Sequence, residues 1–271
     1  MVKRSAVKTI VITGSTRGIG YSLAQSFLNR GHRVVINGRG QESVSRAVSA
    51  LSKTFPENRI LGQPANVSQY DEVQALWQAA RDRWGQIDIW INNAGIGTSQ
   101  AKFWDQPEGK IKAVVDVNLR GMMYGCKVAL GEMLAQGHGE LYNMEGLGSD
   151  GRYVEGLLLY GSTKRAVRYL TRGLIEEVEG TPVIVGSLSP GMVITDMITG
   201  PYQGRPEEWK RAKRIFNILA DKVETVTPWL VEQMLANDRH GAQIRWLTRG
   251  KVIWRFLTAP FNRRDLFEEE G

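Results

Sequence analysis

The sequence contains very little cysteine and histidine. Its 271 residues include one cysteine, Cys126, and three histidines, His32, His138 and His240, which lie far apart in the chain. A single cysteine cannot form an intramolecular disulfide, and neither residue type is clustered in the way that zinc sites require. The sequence therefore predicts no metal site and favours a reducing, cytoplasmic setting.

Long apolar runs are also missing. Nowhere do 18 uncharged apolar residues follow one another. The apolar run after the basic N-terminus is too short for a signal peptide or a membrane span. We expect no membrane-spanning helix and no transit segment, as in a bacterial-type protein. Peripheral contact with a membrane surface stays open as an alternative.

Proline is scarce, and no segment has low complexity. The 9 prolines and 30 glycines suit strands and helices that alternate through tight turns, and the length suits one α/β domain. The net charge of +7 indicates either an anionic partner or good solubility. The cations are not arranged in any nucleic-acid recognition module, so no nucleic-acid partner is predicted.

Short β-type runs alternate with helical stretches of a dozen or more residues. The runs are VKTIVIT, HRVVIN, RILGQ, IDIWIN and GELYNM. This alternation is typical of βαβ units and a parallel sheet. It predicts a Rossmann-type, doubly wound α/β fold in a single domain, residues 1–271.

A glycine-rich turn, TGSTRGIG, follows the first predicted strand and precedes the first predicted helix. Glycines there allow a tight turn and a close approach of the backbone to a phosphate, and the helix N-terminus favours an anion. This context predicts dinucleotide binding. The expected contacts are Gly14, Ser15, Thr16, Arg17, Gly18, Ile19 and Gly20.

The end of the second strand bears on the choice of cofactor. An acidic residue there would hold the ribose hydroxyls of NAD, but the chain has Gly38 followed by Arg39, with Arg17 in the glycine-rich turn. Two guanidinium groups without a carboxylate suit the 2′-phosphate of NADPH. The alternative is that Arg39 is a solvated turn residue.

Several further motifs stand in the order and spacing of one protein family. They are NNAG at residues 92–95, Asn118, Tyr160 with Lys164, and SPGMVITD from Ser189. Together with the glycine-rich turn, they make residues 7–247 resemble the short-chain dehydrogenase/reductase family. The resemblance implies that the protein is an NADPH-dependent carbonyl reductase. It also implies a homo-oligomer, which is common in the family.

The resemblance also implies roles for individual residues. Tyr160 would give a proton to the carbonyl oxygen, and the ammonium of Lys164 would lower the phenol pKa and reach the nicotinamide ribose. Asn118 would distort its helix and hold a water next to the lysine. Further implied cofactor contacts are Asn66, Val67, Asn93, Ala94, Gly95, Pro190, Gly191, Val193 and Thr195. Asn66 stands where many relatives carry an aspartate.

The serine that the family usually places before its tyrosine is missing. Depending on the alignment, its position is taken by Leu147 or Gly146, and neither has a hydroxyl to polarise a carbonyl. Ser149 is the nearest hydroxyl, and the neighbouring glycines would let its loop fold back toward Tyr160. The alternative is that Ser149 stabilises the turn and that Tyr160 acts with a backbone amide.

The loop NMEGLGSDG with YGSTK resembles one branch of the family, the chlorophyll b reductases. Further likenesses lie in FNILADKVETV and in the C-terminal stretch that begins GAQIRWLTRG. The resemblance implies reduction of the formyl group of chlorophyll b, or of chlorophyllide b, to the hydroxymethyl form. The alternatives are another ketone or aldehyde as substrate, or a catalytically silent NADPH-binding sensor.

Two C-terminal segments are predicted to lie near the substrate. Residues 192–228 would form a lid with a basic run, RPEEWKRAKR, and residues 248–271 form an extension that mixes cations with aromatics. Such a mixture suits a lipid surface, a large flat ligand or a subunit interface. A hydrophobic, pigment-like substrate is the favoured partner, and these alternatives stay open.

Overall fold

The architecture is a parallel sheet covered by helices. The computed structural model describes residues 6–262 and 264–267. Its strands are β1 (Thr9–Ile12), β2 (Arg33–Gly38), β3 (Ile60–Pro64), β4 (Ile89–Asn92), β5 (Gly139–Met144), β6 (Val183–Ser189), β7 (Met192–Val193), β8 (Ala220–Asp221) and β9 (Gln243–Arg245). Seven of them form one sheet in the order β3-β2-β1-β4-β5-β6-β9, and β7 pairs with β8.

The helices divide between the two faces of the sheet. They are α1 (Gly18–Asn29), α2 (Gln41–Ser52), α3 (Tyr70–Trp84), α4 (Glu108–Val115), α5 (Gly121–Gln136), α6 (Leu158–Glu177), α7 (Asp196–Thr199), α8 (Pro206–Leu219), α9 (Val223–Leu235) and α10 (Arg249–Thr258). One face packs on α1, α2 and α9, and the other on α3, α5 and α6. No helix in the described stretches has the length and apolar character needed to cross a bilayer.

The strands form because their apolar residues are buried on both faces. In β1, Ile10 and Ile12 pack toward α1 and α9, whereas Val11 packs toward α3 and α5. Alternate side chains of a strand point to opposite faces, so a sheet covered on both sides needs continuous apolar runs. The centres of β1 and β2, IVI and VVI, meet this requirement, and both strands are almost completely buried.

The strand order creates a crevice between β1 and β4. The chain proceeds from β1 to β2 and β3 on one side, and from β4 to β5 and β6 on the other. Ligands of open parallel sheets bind outside the carboxyl ends of the strands at such a switch point. The loops after β1, β4 and β5 therefore meet at this edge.

The predicted fold is confirmed. Each of the five β-type runs forms a strand of a doubly wound parallel sheet. The segment predicted to be a lid contains β7, α7, α8 and β8, and its covering role stays a prediction. The predicted C-terminal extension includes α10, but part of this extension lies outside the described residues. Residues 1–5 at the N-terminus also lie outside them.

Candidate active site

The glycine-rich turn after β1 packs directly on the loop after β4. Gly14 and Gly18 have φ angles of +64° and +58°, in a region that L side chains rarely adopt. A Cβ on Gly14 would lie 2.8 Å from the Cα of Ala94. Glycine is therefore needed at residue 14 both for its backbone conformation and for the approach of the two loops.

Hydrogen bonds hold these two loops together. The hydroxyl of Thr13 accepts from the backbone amides of Asn93 (2.9 Å) and Ala94 (3.0 Å). The side-chain amide of Asn93 donates to the carbonyls of Thr13 and Gly14, and Asn37 accepts from the amide of Gly14. Thr13 and Asn37 were not among the predicted site residues, although both are polar residues at the ends of buried strands.

The N-terminus of α1 is suited to an anion. The helix begins at Gly18, and its N-cap residue, Arg17, makes no capping hydrogen bond with its side chain. The first-turn amides therefore face the crevice without a capping side chain, which is the donor arrangement that a pyrophosphate needs. The turn, its glycines and these donors fit a nicotinamide dinucleotide.

The end of β2 packs closely on the side chain of Thr16. A Cβ on Gly38 would lie 2.6 Å from the Cγ2 of Thr16, so a larger residue would require that side chain to rotate. The next residue, Arg39, is exposed. Arg17 is also exposed, with its Nη1 3.6 Å from Asp196 of α7, and such a solvated pair adds little stability.

The other expected cofactor residues surround the same edge. Asn66 accepts hydrogen bonds from the amide and the hydroxyl of Ser68. A Cβ on Gly121 would lie 2.7 Å from a methyl of Val67, and one on Gly191 (φ +75°) would lie 2.6 Å from Leu247. The remaining residues are Pro190 directly after β6, Val193 buried in β7, and Thr195 at the start of α7.

Tyr160 and Lys164 lie one turn apart at the start of α6. The Nζ of Lys164 is buried, donates to the carbonyl of Met144 (3.0 Å) and lies 5.8 Å from the centre of the Tyr160 ring. Because Met144 ends β5, this bond fixes the ammonium at the carboxyl edge of the sheet. The spacing i, i+4 places both side chains on one helix face.

Burial shifts the pKa values of both groups. Desolvation raises the pKa of Tyr160 to about 12 and lowers that of Lys164 to about 8. Burial alone accounts for the raised pKa of Tyr160, and the lowering of the phenol pKa by the lysine, which the family resemblance implies, stays a prediction. At neutral pH, Tyr160 therefore carries its proton and Lys164 is charged.

Asn118 lies in an irregular turn between α4 and α5. Residues Asp116–Arg120 form a π-helical turn, and the buried side chain of Asn118 leaves the helix to pair with both backbone groups of Ile96 (2.8 and 3.0 Å). It also donates to the hydroxyl of Thr163 on α6 (3.4 Å). Asn118 thus links α5, α6 and the loop after β4.

Gly146 leaves the space that the Tyr160 hydroxyl fills. A Cβ on Gly146 would lie 2.5 Å from the hydroxyl oxygen and 3.2 Å from the Cε of Lys164. The loop then folds back onto α6, since a Cβ on Gly148 (φ +91°) would lie 2.6 Å from the Cα of Gly161. The loop conformation therefore depends on glycine.

The hydroxyl of Ser149 is buried beside Glu145. It donates to the Oε2 of Glu145 (3.2 Å), and the Ser149 carbonyl accepts from Arg165 (3.2 Å). One hydroxyl donates only one hydrogen bond, so Ser149 would have to turn away from Glu145 to polarise a substrate carbonyl. That role stays a prediction.

Introducing a side chain at residue 146 should reduce activity. We expect Gly146→Ser to lower kcat about 100-fold, because the new Cβ displaces Tyr160 and a misplaced proton donor is ineffective. Steady-state kinetics on Gly146→Ser and Gly146→Ala provide the measurement. Gly146→Ala should lose as much, and a serine variant at least as active as wild type would contradict the expectation.

The comparisons with known proteins agree with this geometry. A family model described as short chain dehydrogenase matches residues 8–204. The rice (Oryza sativa subsp. japonica) chlorophyll(ide) b reductase NOL, chloroplastic, is 40% identical over 258 residues, which cover 92% of this chain and 74% of that protein. The rice probable chlorophyll(ide) b reductase NYC1, chloroplastic, is 33% identical, and the match covers 99% of this chain but 55% of that protein.

Solved structures share the whole architecture. Levodione reductase is 25% identical and superposes with a TM-score of 0.81 over 90% of this chain and 97% of its own. A gluconate 5-dehydrogenase from Burkholderia cenocepacia, solved with NADP and tartrate, is 25% identical with a TM-score of 0.74, over 91% and 95% of the two chains. The chain therefore belongs to the short-chain dehydrogenase family of oxidoreductases.

Proposed function

We propose that the protein reduces a carbonyl group on a bulky hydrophobic substrate with NADPH. The favoured substrate is chlorophyll b or chlorophyllide b, whose formyl group would become hydroxymethyl. The observation that carries the reaction type is the placement of Tyr160 and Lys164 at the carboxyl edge of the sheet, next to the loop after β4 on which the glycine-rich turn packs.

Each residue of the pair has a distinct task. A bound nicotinamide dinucleotide supplies the hydride. The hydroxyl of Tyr160 donates a proton to the carbonyl oxygen as negative charge develops there. The Lys164 ammonium, held by the Met144 carbonyl, stabilises the phenolate that remains, and Asn118 supports the helix that carries both groups.

Two exposed arginines favour NADPH over NADH. Arg17 and Arg39 flank the turn where the adenosine ribose would lie, and both are solvent-accessible. A guanidinium forms paired hydrogen bonds to a phosphate, and β2 ends in Gly38 rather than in the acidic residue that would favour NADH. The gluconate 5-dehydrogenase was solved with NADP, which agrees with this preference.

We expect Arg39→Ala to raise KM for NADPH about 10- to 100-fold, the effect of losing one charged hydrogen-bonding group. KM for NADH should stay within about twofold, since NADH has no 2′-phosphate for Arg39 to bind. Initial rates with each cofactor provide the measurement. Lys53 is an exposed cation at the far end of α2, and Lys53→Ala serves as the matched control. An equal loss with both cofactors would contradict the assignment.

An apolar rim at the carboxyl edge favours a large hydrophobic substrate. The loops after β4 and β5, the start of α6 and α7 expose large apolar side chains, namely Phe103, Trp104, Leu147, Tyr153, Leu158 and Met197. A soluble protein seldom exposes so many large apolar residues along one edge unless a ligand covers them. The similarity to the two rice chlorophyll(ide) b reductases supports a tetrapyrrole as that ligand.

The lid segment is anchored to the C-terminal extension. The buried carboxylate of Asp221 in β8 accepts from Trp246 (2.6 Å), from Arg255 (2.8 and 2.9 Å) and from Arg264 (2.8 Å). Arg255 therefore faces inward, whereas the opposite face of α10 exposes Trp254 and Leu257. Contact of this face with a membrane, and assembly into an oligomer, stay predictions.

The test is the absorbance of chlorophyllide b with purified protein and NADPH. We expect the spectrum to shift toward that of the hydroxymethyl product, with NADPH consumed in equal amount. Tyr160→Phe serves as the control for spectral changes that do not depend on the Tyr160 hydroxyl. Binding of NADPH without a spectral shift, together with turnover of simple aldehydes, would replace the pigment by a smaller carbonyl substrate.

A further inference from the structure

Glu145 is an acidic residue in the interior beside the proposed catalytic pair. It directly follows β5, its amide donates to the carbonyl of Leu188 (2.8 Å), and its side chain is 3% exposed. Burying a carboxylate without partners is costly. A carboxyl group buried at this position therefore calls for an explanation.

The close partners of Glu145 only partly satisfy it. One carboxylate oxygen accepts from the hydroxyl of Ser149. The other lies 3.9 Å from the Nε of Arg168, beyond hydrogen-bond distance, and within the described residues that Nε has no hydrogen-bond partner. Glu145 therefore does not form a tight ion pair with Arg168.

Lys164 shares this interior with Glu145. Its Nζ donates to the carbonyl of Met144, the residue directly before Glu145. The charged or titratable groups around the ammonium are Tyr160 on its own helix and Glu145 from the end of β5, while Arg168 lies one turn further along α6. Asn118 and Gly95, on the remaining side, carry no charge.

We infer that Glu145 is a positioning residue of the active site, whose buried carboxylate keeps the Lys164 ammonium charged next to Tyr160. The inference rests on the proposed role of Lys164 in carbonyl reduction. The side chain of Glu145 contacts Ser149 and lies near Arg168, and it acts on the site through the electrostatic potential at Lys164.

The direction of the effect follows from the charges. Desolvation lowers the pKa of Lys164 to about 8, and the negative charge of Glu145 opposes this shift. Without that charge the pKa would fall further, and a larger fraction of Lys164 would be neutral near pH 7. A neutral amine stabilises a phenolate poorly, so proton donation by Tyr160 would weaken.

A purely structural role makes a different prediction. If Glu145 only anchors Ser149 and Arg168, its replacement would lower the stability of the loop and leave the titration of Lys164 unchanged. The isosteric Glu145→Gln keeps an acceptor for Ser149 but removes the charge. Ser149→Ala removes the hydrogen bond but keeps the charge, so these two variants separate the roles.

The first readout is the pKa of Lys164 in the full chain, measured by NMR with 13C-labelled lysine. Lys164→Met identifies the resonance by its loss. We expect Glu145→Gln to lower the titration midpoint of Lys164 by about one pH unit, with Ser149→Ala near wild type. The same midpoint in Glu145→Gln and wild type would overturn the inference. Should the Gln variant not fold, Glu145→Ser, smaller and also uncharged, gives the same test.

The second readout is the pH dependence of kcat/KM for chlorophyllide b reduction, whose basic limb reports the free enzyme. In Glu145→Gln, the basic limb of the kcat/KM profile should move to lower pH by about the same one pH unit as the Lys164 titration. At pH values well above the midpoints of both proteins, kcat/KM of Glu145→Gln should therefore be about tenfold lower than that of wild type. The NMR titration needs no turnover. If the protein does not reduce chlorophyllide b, the proposed substrate is wrong. The role of Glu145 is then decided by the NMR titration alone.

Discussion

Tyr160→Phe should lower kcat about 1000-fold, the usual contribution of a general acid, while the Kd for NADPH stays within about twofold of wild type. The substitution removes one hydroxyl. Within the described residues, that hydroxyl has no protein hydrogen-bond partner, so no buried group loses its partner. The ring keeps its place against Gly146 and Lys164, and the geometry of the cofactor site should be preserved.

The measurement combines single-turnover kinetics with fluorescence titration of NADPH. Tyr169, which is 81% exposed on α6, supplies a matched control, because Tyr169→Phe removes a solvent-exposed phenol hydroxyl outside the apolar rim. The control should keep kcat within about threefold and change stability by less than about 1 kcal/mol. A nearly normal kcat in Tyr160→Phe would show that another group donates the proton.

The fold could be predicted from the sequence because its signals are local and repeated. The centres of β1 and β2 are the apolar runs IVI and VVI, and each strand precedes a helical stretch. Glycines at the end of β1 mark a turn that few other residues can adopt. The edge strand β9 has three residues, too few for a periodic pattern to indicate a strand.

The site was less predictable because its geometry depends on contacts between distant segments. Tyr160, Lys164 and Asn118 were named from the family resemblance, but the match of Gly146 to the Tyr160 hydroxyl arises only when α6 packs on the loop after β5. Glu145 lies in the loop NMEGLGSDG, and the sequence predicted no role for it. Its burial beside Lys164 depends on the same packing, and so does the desolvation that raises the pKa of Tyr160.

Lys164→Met should lower kcat about 100- to 1000-fold, as expected for loss of a positioned charge that stabilises the transition state. KM for NADPH should rise about tenfold, because a charged donor to the cofactor ribose is lost. Methionine keeps most of the apolar stem in a site that is 3% exposed. The substitution leaves the buried carboxylate of Glu145 without the ammonium near it, and removing one partner of a buried charge pair is destabilising, so Tm should fall and the kinetics are measured well below the unfolding transition.

The pH dependence of stability provides an independent check on Lys164. The folded-state pKa is about 8 and the ordinary value is 10.5, so between these values the unfolded chain binds more protons than the folded chain. Stability of the wild type should therefore gain from this group as the pH rises through that window. Lys164→Met lacks this contribution, and urea unfolding at pH 7.5 and 9.5 measures the difference between the two proteins. Identical pH dependence would mean that Lys164 titrates normally and that its ammonium is not desolvated beside Tyr160.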